Sequence, residues 1–402
     1  MIQRSYTVFF EVRFRNTVME EPQASVKPSR AAAVRSAILR FPQRNPVLCI
    51  SFVLAVVTSF IIPPDAAYRS YVDLKTVSCL FCVLAVVCAL KNIRFFSRLA
   101  EGLVVLTGNL RLATVALVCV TFIGSMLIAN DMALLTFLPL GYFVLASTGT
   151  ERYMAPVFIL QNIAANLGGM LTPFGNPQNL YLYSHFNIPD GEFLRIMFPP
   201  FLLSIALILA CCFLLPRSPI SLQRSEKSPL PLPRTLLYLA LFALAIVMVF
   251  RVIPYWIGLC VIPAVLLLAD RRALGQVDYG LLFTFVCFFV FAGNLSRVEP
   301  VRELLGNLLG KNPLVVSALS CQVISNVPSA ILLSRFTSDY RSLLLGVNIG
   351  GTGTLIASLA SLITFREYVR HNPNRKRYYL GVFSAFNFSF LAVLLIFSSL
   401  VG

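Results

Sequence analysis

The feature that most constrains this fold is one stretch of apolar helix, residues 162–183, whose middle is rich in helix-breaking residues. The stretch reads NIAANLGGMLTPFGNPQNLYLY. Its breakers are Gly168, Gly169, Pro173, Gly175 and Pro177. Glycine and proline at this density cannot hold an unbroken i→i−4 hydrogen-bond ladder. We therefore predict a helix that comes apart in the middle of an apolar segment.

Composition places this break in a membrane. Of the 402 residues, 57% are hydrophobic and 12% are charged, whereas soluble domains carry roughly 25% charged residues. Backbone that is unpaired at membrane depth is tolerated only where it is buried in protein or lines a polar cavity. Polar side chains stand at the same place, at Asn166, Thr172, Asn176, Gln178 and Asn179. A broken membrane helix rich in amides is how secondary transporters build their binding sites, so we interpret this stretch as half of one.

The positive charge of the chain follows a membrane topology. The formal net charge is +16, and the basic residues concentrate in residues 1–45 and in loops at 91–98, 217–234, 271–272 and 366–377. By the positive-inside rule, these segments fit one topology of a cell-membrane protein whose N-terminus is cytoplasmic. No nucleic-acid partner is expected, because the basic residues form no patch with interleaved aromatic side chains.

The chain divides into four predicted segments. Residues 1–45 are a cytoplasmic tail, and residues 46–215 are a first transmembrane half. The basic, Pro/Ser-rich residues 216–234 are a cytoplasmic linker, and residues 235–402 are a second transmembrane half. All spans are predicted to be helices, so the expected fold class is an all-α polytopic membrane protein.

Three blocks of the first half recur in the second half in the same order. They are a Val-Asp-led span, an asparagine-tipped hairpin and a broken Asn-x-Gly-Gly helix, and they pair Asp73 with Asp278, Asn130 with Asn326, and Asn166 with Asn348. The two aspartates are predicted to cap their spans. Because the charge pattern starts the copies on opposite sides, we predict inverted repeats at about 72–215 and 277–402, the layout expected for alternating access.

The two hairpins differ in length. From Pro313 to Asn326 there are about 13 residues, on the order of 20 Å of helix, which falls short of a hydrocarbon core of about 30 Å. We therefore predict that the second hairpin is re-entrant and that Asn312-Pro313 begins its first helix. The run 110–146 is long enough for two full crossings or for a re-entrant hairpin, and both alternatives stay open.

These motifs carry a family resemblance. The chain resembles the ion transporter superfamily in its citrate-transporter-like and arsenite-permease-like branches, which are related to divalent anion:sodium symporters. The resemblance covers about residues 72–396 and rests on Asn130-Asp131, Gly175-Asn-Pro-Gln-Asn179, Ser325-Asn326 and Asn348-x-Gly-Gly-x-Gly-Thr354. It implies two inverted repeats, each with a helical hairpin and a broken transmembrane helix, and it allows a homodimer.

The hairpin tips depart from part of that superfamily. In its sodium/dicarboxylate symporters each tip carries Ser-Asn-Thr, the tip and the neighbouring unwound helix hold sodium, and the Asn and Thr side chains meet substrate carboxylates. Here the tips read Ala129-Asn130-Asp131 and Ser325-Asn326-Val327, without the threonine. The substrate therefore stays open between a citrate-like or dicarboxylate-like anion and an inorganic oxyanion.

The candidate substrate and ion site gathers both tips and both helix breaks. Amide and hydroxyl oxygens suit Na⁺, whereas the N-termini of half-helices favour an anion. The candidates in the first half are Asn130, Asp131, Thr172, Gly175, Asn176, Gln178 and Asn179. Those in the second half are Ser325, Asn326, Asn348, Gly351, Gly353, Thr354 and Ser358. The candidate Na⁺ ligands among them are Asn130, Gly175, Ser325, Asn326 and Gly353.

Asp131 is the only carboxylate among these candidates. A carboxylate at membrane depth costs about 2.5–3.5 kcal/mol on insertion scales, so we expect it to face a cavity and to have a partner. Three roles remain open, which are binding the coupling cation, carrying a proton, and capping the following helix. We favour a role in coupling.

Together the residues predict a secondary active transporter of a small anion, coupled to Na⁺ or H⁺, with the lipid bilayer as its surroundings. The rival interpretations are an arsenite-type efflux permease and a Na⁺/H⁺ antiporter, which Asp131 and the missing threonines favour. An enzyme is not expected, because one carboxylate and no histidine lie at membrane depth. Apart from the coupling ion, no cofactor is predicted. The direction of transport and the stoichiometry stay open.

Overall fold

The computed structural model of the protein describes residues 46–104, 107–220 and 230–401, and its regular elements in these ranges are all helices. No β-strand occurs in this part of the chain, where one isolated bridge joins Asn109 to Pro219. The predicted all-α class is confirmed. The predicted tail at 1–45 and positions 221–229 of the predicted linker lie outside the described residues.

The helices alternate between long spans and short segments. In the first half they are α1 (Pro46–Ile61), α2 (Tyr68–Tyr71), α3 (Leu74–Asn92), α4 (Phe95–Val104), α5 (Leu110–Ile128), α6 (Asn130–Ser147), α7 (Met154–Gly168), α8 (Pro177–His185) and α9 (Asp190–Phe213). In the second half they are α10 (Leu232–Val249), α11 (Tyr255–Ala269), α12 (Arg271–Gly275), α13 (Tyr279–Leu295), α14 (Glu299–Lys311), α15 (Pro313–Ile324), α16 (Asn326–Leu333), α17 (Tyr340–Ile349), α18 (Leu359–His371) and α19 (Lys376–Val401). Short 3₁₀-helices occupy Glu151–Tyr153, Gly169–Leu171 and Pro373–Arg375.

Seven helical stretches in the described part are long and apolar enough to cross a membrane. They are Leu74–Asn92, Leu110–Ile128, Asn130–Ser147, Glu151–Leu171, Asp190–Phe213, Leu232–Val249 and Pro373–Val401. The count becomes eight if α13 and α14, which are bent by 98° at their junction, form one span. The protein is therefore a multi-pass membrane protein, as its composition predicted.

Side-chain caps begin the helices at the predicted places. Asp73 Oδ1 accepts from Thr76 N at 3.0 Å, and Asp278 Oδ1 accepts from Leu281 N at 2.9 Å, so both aspartates are N-caps. Asn312 likewise caps α15 and is followed by a proline at the first helical position. Each cap satisfies a backbone N–H that has no partner within its own helix.

The same order of elements occurs twice. The span α3, the hairpin α5–α6 and the broken helix α7–α8 are followed in the second half by α13, α15–α16 and α17–α18. The arms α15 and α16 have 12 and 8 residues, about 18 Å and 12 Å of helix, which is shorter than a hydrocarbon core of about 30 Å. The arms α5 and α6 have 19 and 18 residues, and each is long enough to cross. The inverted orientation of the copies stays a prediction.

Helix α9 starts at Asp190 and ends at Phe213, with Pro199 and Pro200 in its interior. Pro189 precedes that start, and two acidic residues in the first turn complement the positive end of the helix dipole. Membrane helices tolerate prolines in their interior, so the pair at 199–200 does not end the helix.

The broken helices form the buried centre of the described part. Helix α7 packs against α5, α6, α9 and α18, and nearly all of its residues are buried. Gly168 lies against the backbone oxygen of Phe122 on α5. Gly350 lies against Ala318 on α15, where an added Cβ would stand 2.8 Å from Ala318 Cα. Each broken helix therefore approaches the first arm of its own hairpin through a glycine.

Candidate functional site

Both hairpin tips have a strained backbone at a residue other than glycine. Ala129 has φ 63° and ψ 148°, and Ser325 has φ 74° and ψ 160°. This region of backbone space is essentially reserved for glycine, and a different residue there costs on the order of 1–3 kcal/mol. Such a conformation persists only where the surroundings fix it. The two positions are related by the repeat offset of the hairpins, so the tips share one unusual geometry.

The asparagine after each strained residue begins the second arm of its hairpin. Asn130 Oδ1 accepts from Asp131 N at 2.9 Å, and Asn326 Oδ1 accepts from Val327 N at 2.9 Å. A backbone N–H is always a donor, so these bonds fix which end of each amide is oxygen. The amide NH₂ group of each tip therefore points away from its own helix.

The first helix break lies between α7 and α8 and is held by Asn179. Its Nδ2 lies 3.3, 3.2 and 3.3 Å from the backbone oxygens of Gly169, Met170 and Thr172, which have lost their helical partners. Thr172 Oγ1 donates to Met126 O at 2.7 Å and ties the break to the first hairpin. These three backbone oxygens of the unwound segment are thus satisfied by one side chain.

The second helix break lies between α17 and α18 and is held by Gln322 of the second hairpin. Its Nε2 donates to the backbone oxygens of Gly350 at 2.9 Å and Thr352 at 3.0 Å, and its Oε1 accepts from Thr354 N at 2.8 Å. Gly353 has φ 116° and packs so tightly on the Gln322 amide that a Cβ would not fit. Thr354 Oγ1 donates to Gln322 O at 2.9 Å. This bond is the repeat counterpart of the first one from Thr172 to its hairpin.

The two breaks meet through asparagine side chains. Asn166 Oδ1 accepts from Asn130 Nδ2 at 3.0 Å and from Ser358 Oγ at 2.8 Å, so it joins the first tip to the second break. Asn348 Oδ1 is 3.3 Å from Asn176 Nδ2 and from Gln178 Nε2. The contacts of Ser358 with Asn166 and of Asn176 with Asn348 occupy equivalent repeat positions.

Several polar atoms at this centre are buried and lack a hydrogen-bond partner within the described residues: Asn166 Nδ2, Asn176 Oδ1, Gln178 Oε1 and Asp131 Oδ1. Asn166 is 2% exposed, and Asn176 and Gln178 are 1% exposed, so bulk water does not reach them. A buried polar group without a partner costs about 1–3 kcal/mol. The centre therefore offers one donor and three acceptor oxygens to a polar or charged ligand.

Asp131 lies in the first turn of α6, directly after the first tip. Among the described residues it forms no ion pair. An ion-pair partner for Asp131 is thus not found in this part of the chain. The nearby N-terminus of α6 carries unpaired N–H groups whose partial positive charge favours a carboxylate.

The structure brings most of the predicted site residues together, through several kinds of contact. The side chains of Asn130, Asn176, Gln178, Asn179, Asn348 and Ser358 belong to the asparagine network. Thr172 and Thr354 bond to the hairpins, and Gly175 and Gly353 are close-packed turns. Ser325 and Asn326 bond to Ala357 O, at 3.3 and 3.0 Å. A Cβ added to Gly351 would lie 3.3 Å from Asn326 Nδ2.

Two important residues, Asn166 and Gln322, were not among the predicted site residues, although Asn166 was noted as a polar side chain of the first broken helix. Asn166 is the repeat counterpart of Asn348, so applying the repeat to both copies points to it. Gln322 has Met126 as its counterpart, so the repeat gives no signal there. The remaining sequence signal for Gln322 is that it is a polar amide one turn before an asparagine tip, in an otherwise apolar helix.

Carboxylate, thiol and imidazole groups do not cluster in this site. Within the described ranges, no three His, Cys, Asp or Glu side chains lie close enough together to hold a metal ion. The polar centre is composed mainly of neutral amides and hydroxyls. Such groups bind an alkali cation or an anion by dipoles.

Comparison with known proteins gives a consistent picture. The model of the citrate transporter family matches residues 38–339. An uncharacterized transporter of Methanocaldococcus jannaschii is 31% identical over 300 residues, covering 73% of this chain and 81% of that protein. The inner membrane protein YbiR of Escherichia coli is 28% identical over 340 residues, covering 82% and 89%. A silicon efflux transporter of Oryza sativa is 31% identical over 157 residues, covering 38% and 32%.

Proposed function

This chain belongs to the citrate transporter family, and from that premise we propose that it is a secondary active transporter of a small anion. The anion is citrate, a dicarboxylate or an inorganic oxyanion. Transport is coupled to Na⁺ or H⁺ and works by alternating access of the buried centre to the two sides of the membrane.

The observation that carries this proposal is the bond network of Asn166 with Asn130 and Ser358. It joins a hairpin tip of one half to a helix break of the other half. Secondary transporters bind substrate where discontinuous helices of two repeats meet, since a ligand there can be exposed to either side by moving one part against the other. Half-helix N-termini at the same place favour a negative charge.

Two features bear on the coupling ion. The backbone oxygens of Gly350 and Thr352 accept from Gln322, so these oxygens are less open to Na⁺ than the unwinding alone suggests. Asp131 has a buried oxygen without a partner among the described residues. It is the one group of the predicted site that can change its charge. These features favour Asp131 over the second helix break as the place where coupling occurs.

A second candidate function is export of an inorganic oxyanion or its neutral acid, or exchange of Na⁺ for H⁺. The match to a silicon efflux transporter favours it, although the match covers 38% of this chain. The tips without threonine, at Ala129-Asn130-Asp131 and Ser325-Asn326-Val327, agree with a substrate other than a dicarboxylate.

We further propose that the protein resides in the plasma membrane with its N-terminus in the cytoplasm, and that it forms homodimers. The basic loops support the sidedness. The plasma-membrane location and the homodimer are proposed from membership of the family.

The test is flux into proteoliposomes under an imposed Na⁺ gradient or pH gradient. The substrates are citrate, succinate, sulfate, arsenite and silicic acid, added singly to either side. Asn326→Ala is expected to abolish flux. Asp131→Asn is expected to abolish the part driven by the pH gradient. Asp73→Asn is the matched control, because it makes the same change at a helix cap, where asparagine also caps.

The outcomes separate the candidates. Inward flux of citrate or succinate supports the first function, and outward flux of arsenite or silicic acid supports the second. If flux is driven by Na⁺ alone and Asp131→Asn does not change it, Asp131 is not the coupling residue. If no substrate moves under either gradient while the reconstituted protein is monodisperse, the transport proposal is wrong.

A further inference from the structure

The amide of Asn166 has a fixed orientation. Asn130 Oδ1 accepts from the backbone N–H of Asp131, so Asn130 Nδ2 is the group that faces Asn166, at 3.0 Å. A nitrogen donor requires an oxygen opposite it, so Asn166 must present Oδ1 there. The hydroxyl of Ser358 donates to the same oxygen at 2.8 Å. Asn166 Nδ2 therefore points away from both of these neighbours.

That nitrogen is unusual for this protein. Within the described residues, Asn166 Nδ2 is the one buried side-chain amide nitrogen that lacks a hydrogen-bond partner. The repeat counterpart, Asn348, uses its Nδ2 twice, on Asn179 Oδ1 at 2.6 Å and on Leu344 O at 2.8 Å. The same position is thus satisfied in one repeat and unsatisfied in the other. Leaving a buried donor unpaired is costly, which points to a ligand in the first repeat.

A second amide donor lies close by. A Cβ placed on Gly351 would be 3.3 Å from Asn326 Nδ2 and 3.9 Å from Asn166 Oδ1, so the two amides flank this glycine. One amide comes from the first broken helix and the other from the second hairpin tip. A carboxylate or oxyanion carries several acceptor oxygens and so can accept from more than one amide donor.

We propose that Asn166 binds the transported anion directly, with Nδ2 donating to an anion oxygen while Oδ1 holds the side chain in place through Asn130 and Ser358. The inference rests on the proposed anion transport. Asn166 then contacts the substrate from the first repeat and is hydrogen-bonded, through Ser358, to the helix break of the second repeat. A purely structural Asn166 would need only its Oδ1.

The test uses a substitution that separates the two ends of the amide. Asn166→Asp keeps acceptor oxygens for Asn130 and Ser358 but removes the donor, and when ionised it repels an anion. Asn166→Ala is the second variant, which removes both ends and adds no charge. Asn387→Ala is the matched control, because Asn387 is also a buried amide but donates only within its own helix, to Phe383 O at 2.9 Å.

The measurement is the shift in melting temperature of the purified full-length protein on titration with citrate, succinate, sulfate or arsenate, which gives an apparent Kd for each. The melting temperature without anion reports folding of each variant. A hydrogen bond to a charged group corresponds to roughly tenfold or more in affinity. We expect both Asn166 variants to raise the apparent Kd at least tenfold, and Asn387→Ala to leave it unchanged.

The outcomes separate this inference from the proposed function. If one anion stabilises the wild type and binds Asn166→Asp and Asn166→Ala with wild-type affinity, Asn166 is structural and the inference is wrong, while anion binding stands. If Asn166→Asp does not fold, Asn166→Ala decides in the same way. If none of the four anions stabilises the wild type, the proposed anion transport fails, and this inference fails with it.

Discussion

Ser358 donates a hydrogen bond of 2.8 Å to Asn166 Oδ1 across 192 positions of sequence. The counterpart contact, from Asn176 Nδ2 to Asn348 Oδ1 at 3.3 Å, runs in the opposite direction between the two halves. Each broken helix thus donates to the asparagine of the other. The two breaks are tied by a reciprocal pair of bonds, so a movement of one break relative to the other changes both.

The bond between Ser358 and Asn166 predicts an energetic coupling. In a double-mutant cycle of Asn166→Ala and Ser358→Ala, we expect an interaction energy of about 0.5–3 kcal/mol, as for residues in direct contact. Ser358 also caps α18 by accepting from Ala360 N at 3.2 Å, and the cycle removes that contribution. Thermal unfolding of the four proteins gives the measurement.

The control cycle pairs Asn166→Ala with Ser296→Ala, whose hydroxyl bonds to Gly293 O near the end of its own helix. That pair should be additive within about 0.5 kcal/mol. Additivity in both cycles would contradict the direct bond between Ser358 and Asn166.

Gln322 is expected to be a large contributor to stability. Gln322→Leu removes the donor to Gly350 O and Thr352 O and the acceptor for Thr354 N, leaving buried backbone groups that cost about 1–3 kcal/mol each. We expect a clear drop in melting temperature, measured without substrate. The matched change is Met126→Leu at the equivalent position of the first hairpin, which should cost less than about 1.5 kcal/mol. Equal losses of stability at both positions would argue against a stabilising role for the Gln322 hydrogen bonds.

Gly350 is expected to tolerate no larger side chain. In Gly350→Ala the new Cβ would lie 2.8 Å from the backbone Cα of Ala318, and overpacking of this kind costs about 1–3 kcal/mol. The melting temperature should fall. Gly381→Ala in α19 is the control, since nothing lies within 4 Å of its Cβ and alanine favours a helix by about 1 kcal/mol. A neutral Gly350→Ala would show that α17 is not in close contact with α15.

A pH dependence is expected at the surface ion pair of Asp65 and Arg297. Their side chains are 2.8 Å apart, and the hydrogen bond from Arg297 holds the pKa of Asp65 below its ordinary value. A carboxyl with a lowered pKa stabilises the fold above its unfolded pKa of about 3.9, and the contribution disappears as the pH falls through the lower, folded pKa.

Asp65→Asn should therefore lower the melting temperature at pH 7, and the difference from the wild type should shrink as the pH falls below about 3.9. The effect should be small, because the two side chains are 43% and 39% exposed. Arg302→Gln is the control, since its pair with Glu299 lies within the turn of one helix. A difference that does not shrink as the pH falls below about 3.9 would mean that the Asp65 carboxylate acts other than through its charge.

Much of the architecture could be predicted from residue patterns. Low charge content and apolar runs indicated spans, since burial in lipid demands helices whose backbone is satisfied internally. The glycines and prolines between 168 and 177 located the first break, and Gly350, Gly351 and Gly353 located the second. The caps Asp73 and Asp278 followed from their position before apolar runs. These features depend on local chemistry, which a sequence displays directly.

Other features depended on contacts between distant residues. Gln322 was missed because its partners lie 28 to 32 positions away in sequence, beyond any helical period. The repeat could have indicated Asn166, but not that its nitrogen is unpaired while that of Asn348 is satisfied.

By itself, the sequence determined that this protein is an all-α membrane protein with two asparagine-tipped hairpins and two broken helices, because composition, periodicity and helix breakers act locally. Only the tertiary structure decided how the two halves meet, which carbonyl oxygens Asn179 and Gln322 occupy, and which polar atoms at the centre stay free. Hydrogen bonds are directional and form over about 3 Å. Which groups reach that distance depends on the packing of the whole chain.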